Sequence, residues 1–334
     1  MAATSPPRPG AYPISDIRVR EVMIASPHAF CAGVERAIGM VERLVAELAP
    51  PVYVRKQIVH NTHVVESLRG QGAVFVDELD EVPDGAVVVF AAHGVSPAVR
   101  AEAERRGLRV FDATCPLVSK VHAQARRLVS RGNTVVLIGH RGHDEAVGIA
   151  GEAPERILIA ESPEEAAALE IDGPVSYVTQ TTLTADEVAV VVSALRNRFP
   201  QLTEPDSGDI CYAATNRQNA VRAVAERVDV VLVVGSANSL NSNRLVEVAR
   251  AAGTPAHRVD SPSDVEPRWL AGARSVGVTA GASVHPKRVG ELVDHLRKAW
   301  PVSVSVHQVA AETVSFALPT GVGAGRVVDQ PTAG

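Results

Sequence analysis

Three cysteines, at positions 31, 115 and 211, are the residues of this 334-residue chain best placed to do chemistry together. They fall 84 and 96 residues apart, about one small module each, and every one opens a stretch of helical periodicity: CAGVERAIGMVERLVAEL from Cys31, CPLVSKVHAQARRLVSRG from Cys115 and CYAATNRQNAVRAVAERV from Cys211. A thiol at or near a helix N-terminus meets unpaired N–H groups and the positive end of the helix dipole, both of which favour a thiolate. Pro116 suits a first helical turn. Three converging thiolates could hold zinc with a fourth ligand, or an iron–sulfur cluster with one iron lacking a protein ligand. Three buried cysteines acting as small apolar residues would have the same spacing. Their recurrence at one point of each repeat favours a shared ligand role without naming the metal.

Each helical stretch leads to two β-branched runs that end in polar loops: RKQIVHNTH and AAHGVS, then GHRGHDE and TQTTL, then GSANSLNSN and TAGASVH. His60, His93 and His143 lie in these loops, where a ring N–H can donate to an anionic oxygen. A lone loop histidine is more often a surface residue or a satisfied turn partner. With Thr181, Ser239, Asn241 and Ser283 they make a donor-rich lining suited to a phosphate or diphosphate, at roughly 1.5–3 kcal/mol for each charged hydrogen bond. Glu145 stands out as a carboxylate two residues after His143. It fits proton delivery, or else a solvated surface acid. Asp112 reads as a cap for the following turn. No Walker motif is present, and Gly321, Gly323 and Gly325 neither follow a strand nor open a helix, as a dinucleotide fingerprint requires.

The elements that must position these residues follow an α/β grammar with mostly parallel strands, in runs such as AVVVFAAHG, TVVLIGH and DVVLVVGS. The expected architecture is three α/β modules, 19–114, 115–210 and 211–300, related by a pseudo-threefold axis around one shared site at the strand ends. A segment 301–318 is expected to pack back on the core, with disordered ends at 1–18 and 319–334. Hydrophobic residues make up 46% of the chain, enough for a substantial core, and a formal charge of −5 without basic runs argues against a nucleic-acid partner. No long apolar run suggests a membrane span or signal peptide, so the cytoplasm is the expected compartment.

In order along the chain, AFCAGVERAI, RKQIVHN, FAAHGVS, FDATCPLVSKVH, GHRGHDE, TQTTL, DICYAATNRQ, GSANSLNSNRL and VTAGAS resemble the IspH/LytB family of 4-hydroxy-3-methylbut-2-enyl diphosphate reductases. The resemblance spans about residues 22 to 300. It implies a three-lobed fold around a [4Fe–4S] cluster held by Cys31, Cys115 and Cys211. It further implies that His60, His93, His143, Thr181, Ser239, Asn241 and Ser283 surround the diphosphate while Glu145, assisted by Thr181, supplies protons. The implied reaction is reductive dehydroxylation of (E)-4-hydroxy-3-methylbut-2-enyl diphosphate to isopentenyl and dimethylallyl diphosphates, the last step of the methylerythritol phosphate route. Electrons are expected from a ferredoxin or flavodoxin with its reductase. Four positions depart from the family pattern: Asp144 stands where Pro is usual, Leu240 where Ser is usual, and Ile149 where Thr is usual. His285 accompanies one extra residue and is a candidate to replace a lost donor.

Overall fold

The computed structural model describes residues 17–48, 50–205 and 208–319. The ends read as disordered fall almost wholly outside these. Ile17, inside the expected N-terminal tail, is instead 6% exposed in the core of the third lobe.

Three wholly parallel sheets form the frame, one per lobe. The first contains β2 (Val52–Arg55), β3 (Ala73–Val76), β4 (Val87–Phe90) and β5 (Arg109–Asp112), in the order β3-β2-β4-β5. The second contains β6 (Thr134–Ile138), β7 (Ile157–Ala160) and β8 (Val175–Thr179), in the order β7-β6-β8. Beside β8, Thr203 makes a single parallel bridge to Ser176 at the place a fourth strand would fill. The third contains β9 (Val230–Val234), β10 (Ala256–Val259) and β11 (Ser275–Ala280), joined by β1 (Glu21–Ser26) and β12 (Ser303–Gln308) in the order β10-β9-β11-β1-β12. Strands β8 and β9 are buried at every residue, because helices cover both faces of a parallel sheet.

The cysteine-led helices are α1 (Ala32–Leu48), α4 (Pro116–Ser130) and α8 (Tyr212–Ala225). Each packs its apolar stripe on the sheet that follows it in the chain or, for α8, on the third. Met40, Val41 and Leu44 of α1 lie on Val52 and Val54, and Val121, Ala125 and Leu128 of α4 lie on Val135 and Leu137. Val221 and Val224 of α8 lie on Val231 and Val233. Burying each such side chain contributes about 1.5–3 kcal/mol. The module read as 19–114 differs at its start, since β1 belongs to the third sheet. The reason is cyclic closure: β1 precedes Cys31 as β5 precedes Cys115, so the first strand of the chain fills the fourth position of the last sheet.

Candidate functional site

Each cysteine is anchored by its backbone to the second residue after the third strand of a lobe. The N–H of Cys31 donates to Ala282 O (3.2 Å), that of Cys115 to Ala92 O (2.9 Å) and that of Cys211 to Thr181 O (2.9 Å). One hydrogen bond repeated three times therefore directs all three side chains to the pseudo-threefold centre. The thiols are free, and a Cβ added at Gly33 would lie 2.7 Å from Cys115 Sγ and 3.9 Å from Cys31 Sγ, so this glycine keeps the space between them open. Burial pushes the Cys115 thiol up and the Cys211 thiol up to about 12, with mutual repulsion adding to it. Hydrogen bonds from the first-turn N–H groups of Leu117, Val118, Ala213 and Ala214 pull the other way, as the helix N-termini suggested, but burial outweighs them. Cys115 and Cys211, partly buried sulfur donors that are costly to ionise by themselves, suit a positive centre bound between them.

Above the thiols lie the three histidines, one from each of three strand-end loops. His60 and His93 stack with ring centroids 4.0 Å apart and planes 16° apart, and His143 meets both edge-on at 5.0 and 5.6 Å. Burial lowers all three pKa values, that of His143 to about 3 with help from repulsion by His60 and His140, so the rings are neutral. His143 Nδ1 accepts the backbone N–H of Glu145 at 3.2 Å, which leaves the ring proton on Nε2 as a donor. His60 Nε2 and His93 Nδ1 are buried without a partner. With the Asp144 carboxylate these two rings bring three ligand atoms within 4.8 Å of one another. Stacked rings nevertheless hold their lone pairs in nearly parallel planes, so they cannot both point at one ion about 2 Å away. Donation to the separate oxygens of an anion has no such conflict.

Glu145, in α5 (Asp144–Ala150), is 1% exposed and is not the surface acid its residue type would suggest. Thr181 grips it twice: the backbone N–H donates to Oε1 at 2.7 Å and Oγ1 donates to Oε2 at 3.1 Å. Burial raises its pKa to about 7 against these hydrogen bonds, and the nearby Asp209 charge pushes the same way. The carboxyl is thus poised to give or take a proton near neutrality.

The third lobe adds donors from the start of α9 (Leu240–Ala251). Ser239 caps this helix, and its oxygen accepts from Ser242 N (3.3 Å) and Ser242 Oγ (3.0 Å), so its own hydroxyl proton remains free to donate. Both polar side-chain atoms of Asn241 are buried and unpartnered. The helix comes this close because Gly235 and Gly281, just past β9 and β11, leave room for Ser242 that any Cβ would fill. Ser283 Oγ donates to His60 O at 3.2 Å and so ties the third-lobe loop to the first.

One cavity brings together Cys31, Cys115, Cys211, His60, His93, His143, Glu145, Thr181, Ser239, Asn241 and Ser283. Residues that the motifs did not single out, Gly33, Thr182 and Ala282, also line it. Gly33 could have been found from its fixed place two residues after Cys31, whereas nothing in the sequence marks Ala282. Leu240 lines the cavity, and Asp144 Oδ2 sits 3.8 Å from His60 Nε2. His285 does not reach the cavity. It caps α10 (Pro286–Ala299), accepting Lys287 N at Nδ1, and packs edge-on against Phe30 in a neighbouring cleft. Ile149 is fully buried in the second-lobe core, far from any hydroxyl role in the lining.

The fold and the site define a three-lobed α/β protein with a central tri-thiol centre beneath a lining of neutral donors and one high-pKa carboxyl. The LytB protein family model matches residues 22–297. Among curated relatives, 4-hydroxy-3-methylbut-2-enyl diphosphate reductase 2 of Mycobacterium bovis is 57% identical over 307 residues, covering 90% of this chain and 93% of its own. The 4-hydroxy-3-methylbut-2-enyl diphosphate reductase of Bordetella pertussis is 53% identical over 304 residues, covering 90% of this chain and 94% of its own. The solved structure of the Plasmodium falciparum E-1-hydroxy-2-methyl-but-2-enyl-4-diphosphate reductase superposes with a TM-score of 0.87 at 33% identity, covering 91% of this chain and 97% of that one. The chain belongs to the LytB family.

Proposed function

We propose that the protein is a 4-hydroxy-3-methylbut-2-enyl diphosphate reductase that removes the substrate hydroxyl reductively, giving isopentenyl and dimethylallyl diphosphates. Two electrons and two protons enter, and water leaves. The observation that carries this reading is a buried carboxyl of pKa about 7, held by Thr181, in one cavity with three thiols and a set of neutral donors.

Cys31, Cys115 and Cys211 are the residues that would hold a [4Fe–4S] cluster, with one iron left free of protein ligands. The donor set fits such a group, with three soft sulfurs around a space that Gly33 keeps open. Zinc, which has no redox chemistry, would leave a reductase without an electron carrier. A bound cluster supplies single electrons and Lewis acidity at the site.

The chain's own residues do the rest. His60, His93, His143, Ser239, Asn241 and Ser283 surround the diphosphate, and the unpartnered His60 Nε2, His93 Nδ1 and Asn241 Nδ2 donate to its oxygens. A diphosphate beside neutral rings also raises their pKa, so binding draws protons into the site. Glu145 gives its proton to the departing hydroxyl oxygen, converting hydroxide into water, while Thr181 aims the carboxyl and keeps both its oxygens in place. The buried walls keep bulk water from competing for that proton. An external donor of ferredoxin or flavodoxin type, with its reductase, delivers the electrons, and the cytoplasm is the compartment that keeps the thiols reduced. Among the described residues no helix is long and apolar enough to cross a membrane.

The test is anaerobic turnover of 4-hydroxy-3-methylbut-2-enyl diphosphate with a low-potential chemical reductant, on protein whose iron and acid-labile sulfide have been counted. Formation of both product isomers by protein carrying iron and sulfide is the expected result. Zinc without iron, or a full cluster without turnover, would overturn the assignment.

A further inference from the structure

Each cysteine-led helix carries a basic residue about one and a half turns in: Arg36 five residues after Cys31, Lys120 five after Cys115, and Arg217 six after Cys211. All three side chains reach backbone carbonyls in the loop just ahead of another cysteine. Arg36 Nη1 donates to Thr114 O at 3.1 Å, directly before Cys115. Lys120 Nζ donates to Gly208 O at 2.9 Å, three residues before Cys211. Arg217 donates to Ala29 O from Nε (3.0 Å) and Nη2 (2.7 Å), and to Phe30 O at 3.2 Å, directly before Cys31. The circuit therefore runs from the first helix to the second cysteine, from the second helix to the third, and from the third back to the first. Arg217 is completely buried, and Ala29, which it holds, has the left-handed φ of +64° that a residue with a Cβ adopts only under restraint.

Two corners are strapped by the segment after β12. Glu312 accepts from Arg217 Nη1 at 2.9 Å and from Asn216 Nδ2 at 3.1 Å, and Ala317 O accepts from Arg36 Nε at 3.1 Å. At the third corner the exposed Lys120 side chain makes, among the described residues, its one hydrogen bond to Gly208 O. The adjacent Asp209 carboxylate accepts from Thr179 N (3.1 Å) and Gln124 Nε2 (3.5 Å), but no described residue after β12 straps this corner as Glu312 and Ala317 strap the others.

We propose that Arg36, Lys120 and Arg217 form a cyclic latch of positioning residues that sets the three thiols for the cluster, with the Lys120 corner the one that opens first. The proposal rests on the cluster reading above and adds a mode of retention to it. Anaerobic release of iron to a chelator is the measurement, made on cluster-loaded wild type, Lys120→Met, Lys120→Arg and Arg131→Met. Arg131, at the far end of α4, controls for lost charge. Lys120→Met should release iron about fivefold faster, the size of one net hydrogen bond, while Lys120→Arg and Arg131→Met stay near wild type. Equal rates for Lys120→Met and wild type, or equal acceleration by Arg131→Met, would overturn the latch. If wild type takes up no iron and sulfide, the cluster reading fails separately. The latch is then decided by alkylation of Cys211 in the metal-free protein, followed by mass spectrometry: Lys120→Met should accelerate it about fivefold, and an unchanged rate overturns the proposal.

Discussion

Replacing Glu145 by Gln should move activity and stability in opposite directions. The amide keeps the carboxyl's shape and can still accept the Thr181 N–H, with its NH2 turned to Thr181 Oγ1, so no buried polar group is orphaned. Activity should fall by about 10²–10⁴, the usual contribution of a placed general acid. Stability follows from linkage. Burial lifts the Glu145 pKa from 4.5 to about 7, so the folded state binds a proton that the unfolded chain has lost. That contribution is whole below pH 4.5 and is lost as the pH rises through about 7, at a total cost of about 3 kcal/mol. The Gln variant lacks this loss. Urea denaturation of the metal-free protein should therefore show the two proteins nearly equal near pH 4 and the variant more stable by about 3 kcal/mol at pH 8. In turnover, wild-type kcat should decline above about pH 7 with the loss of one proton, and the variant's residual rate should not share that limb. A stability gap independent of pH, or an unchanged alkaline limb in Glu145→Gln, would refute the assignment of both effects to this carboxyl.

Gly33→Ala should lower iron and sulfide content sharply, because its Cβ would fall 2.7 Å from Cys115 Sγ, while a helix propensity gain of about 1 kcal/mol offsets the strain in the metal-free protein's denaturation midpoint. Asn241→Ala should raise KM for the diphosphate about 10- to 100-fold with little loss of thermal stability, since both polar atoms it removes are unpartnered in the fold. Asp144→Asn should lower KM about fivefold and reduce its dependence on salt, because the carboxylate 3.8 Å from His60 Nε2 competes with the anionic ligand for that ring. Steady-state kinetics at two ionic strengths would check it.

The departures from the family pattern illustrate where residue type alone stops being informative. Asp144, standing where Pro is usual, occupies the first turn of α5, where Pro and Asp are both natural, so its consequence is electrostatic. His285 looked like a replacement donor, yet the cap it makes on α10 turns its ring toward Phe30. Both outcomes depend on side-chain direction at a helix start, which a change of one residue in loop length alters.

The sequence by itself determined the three-lobed α/β plan and the identity of the residues that meet at its centre. Apolar runs bounded by polar loops specify buried parallel strands, and a motif repeated after each cysteine places equivalent loops at equivalent strand ends. Tertiary structure alone decided that β1 closes the third sheet, since strand partners separated by some 250 residues leave no local periodicity to read. It also decided the protonation chemistry. A helix N-terminus favours a thiolate and a glutamate favours solvent, but burial at the junction of three lobes reverses both, raising Cys211 to about 12 and Glu145 to about 7. Desolvation depends on what every other segment places around a group, and that is a property of the assembled fold.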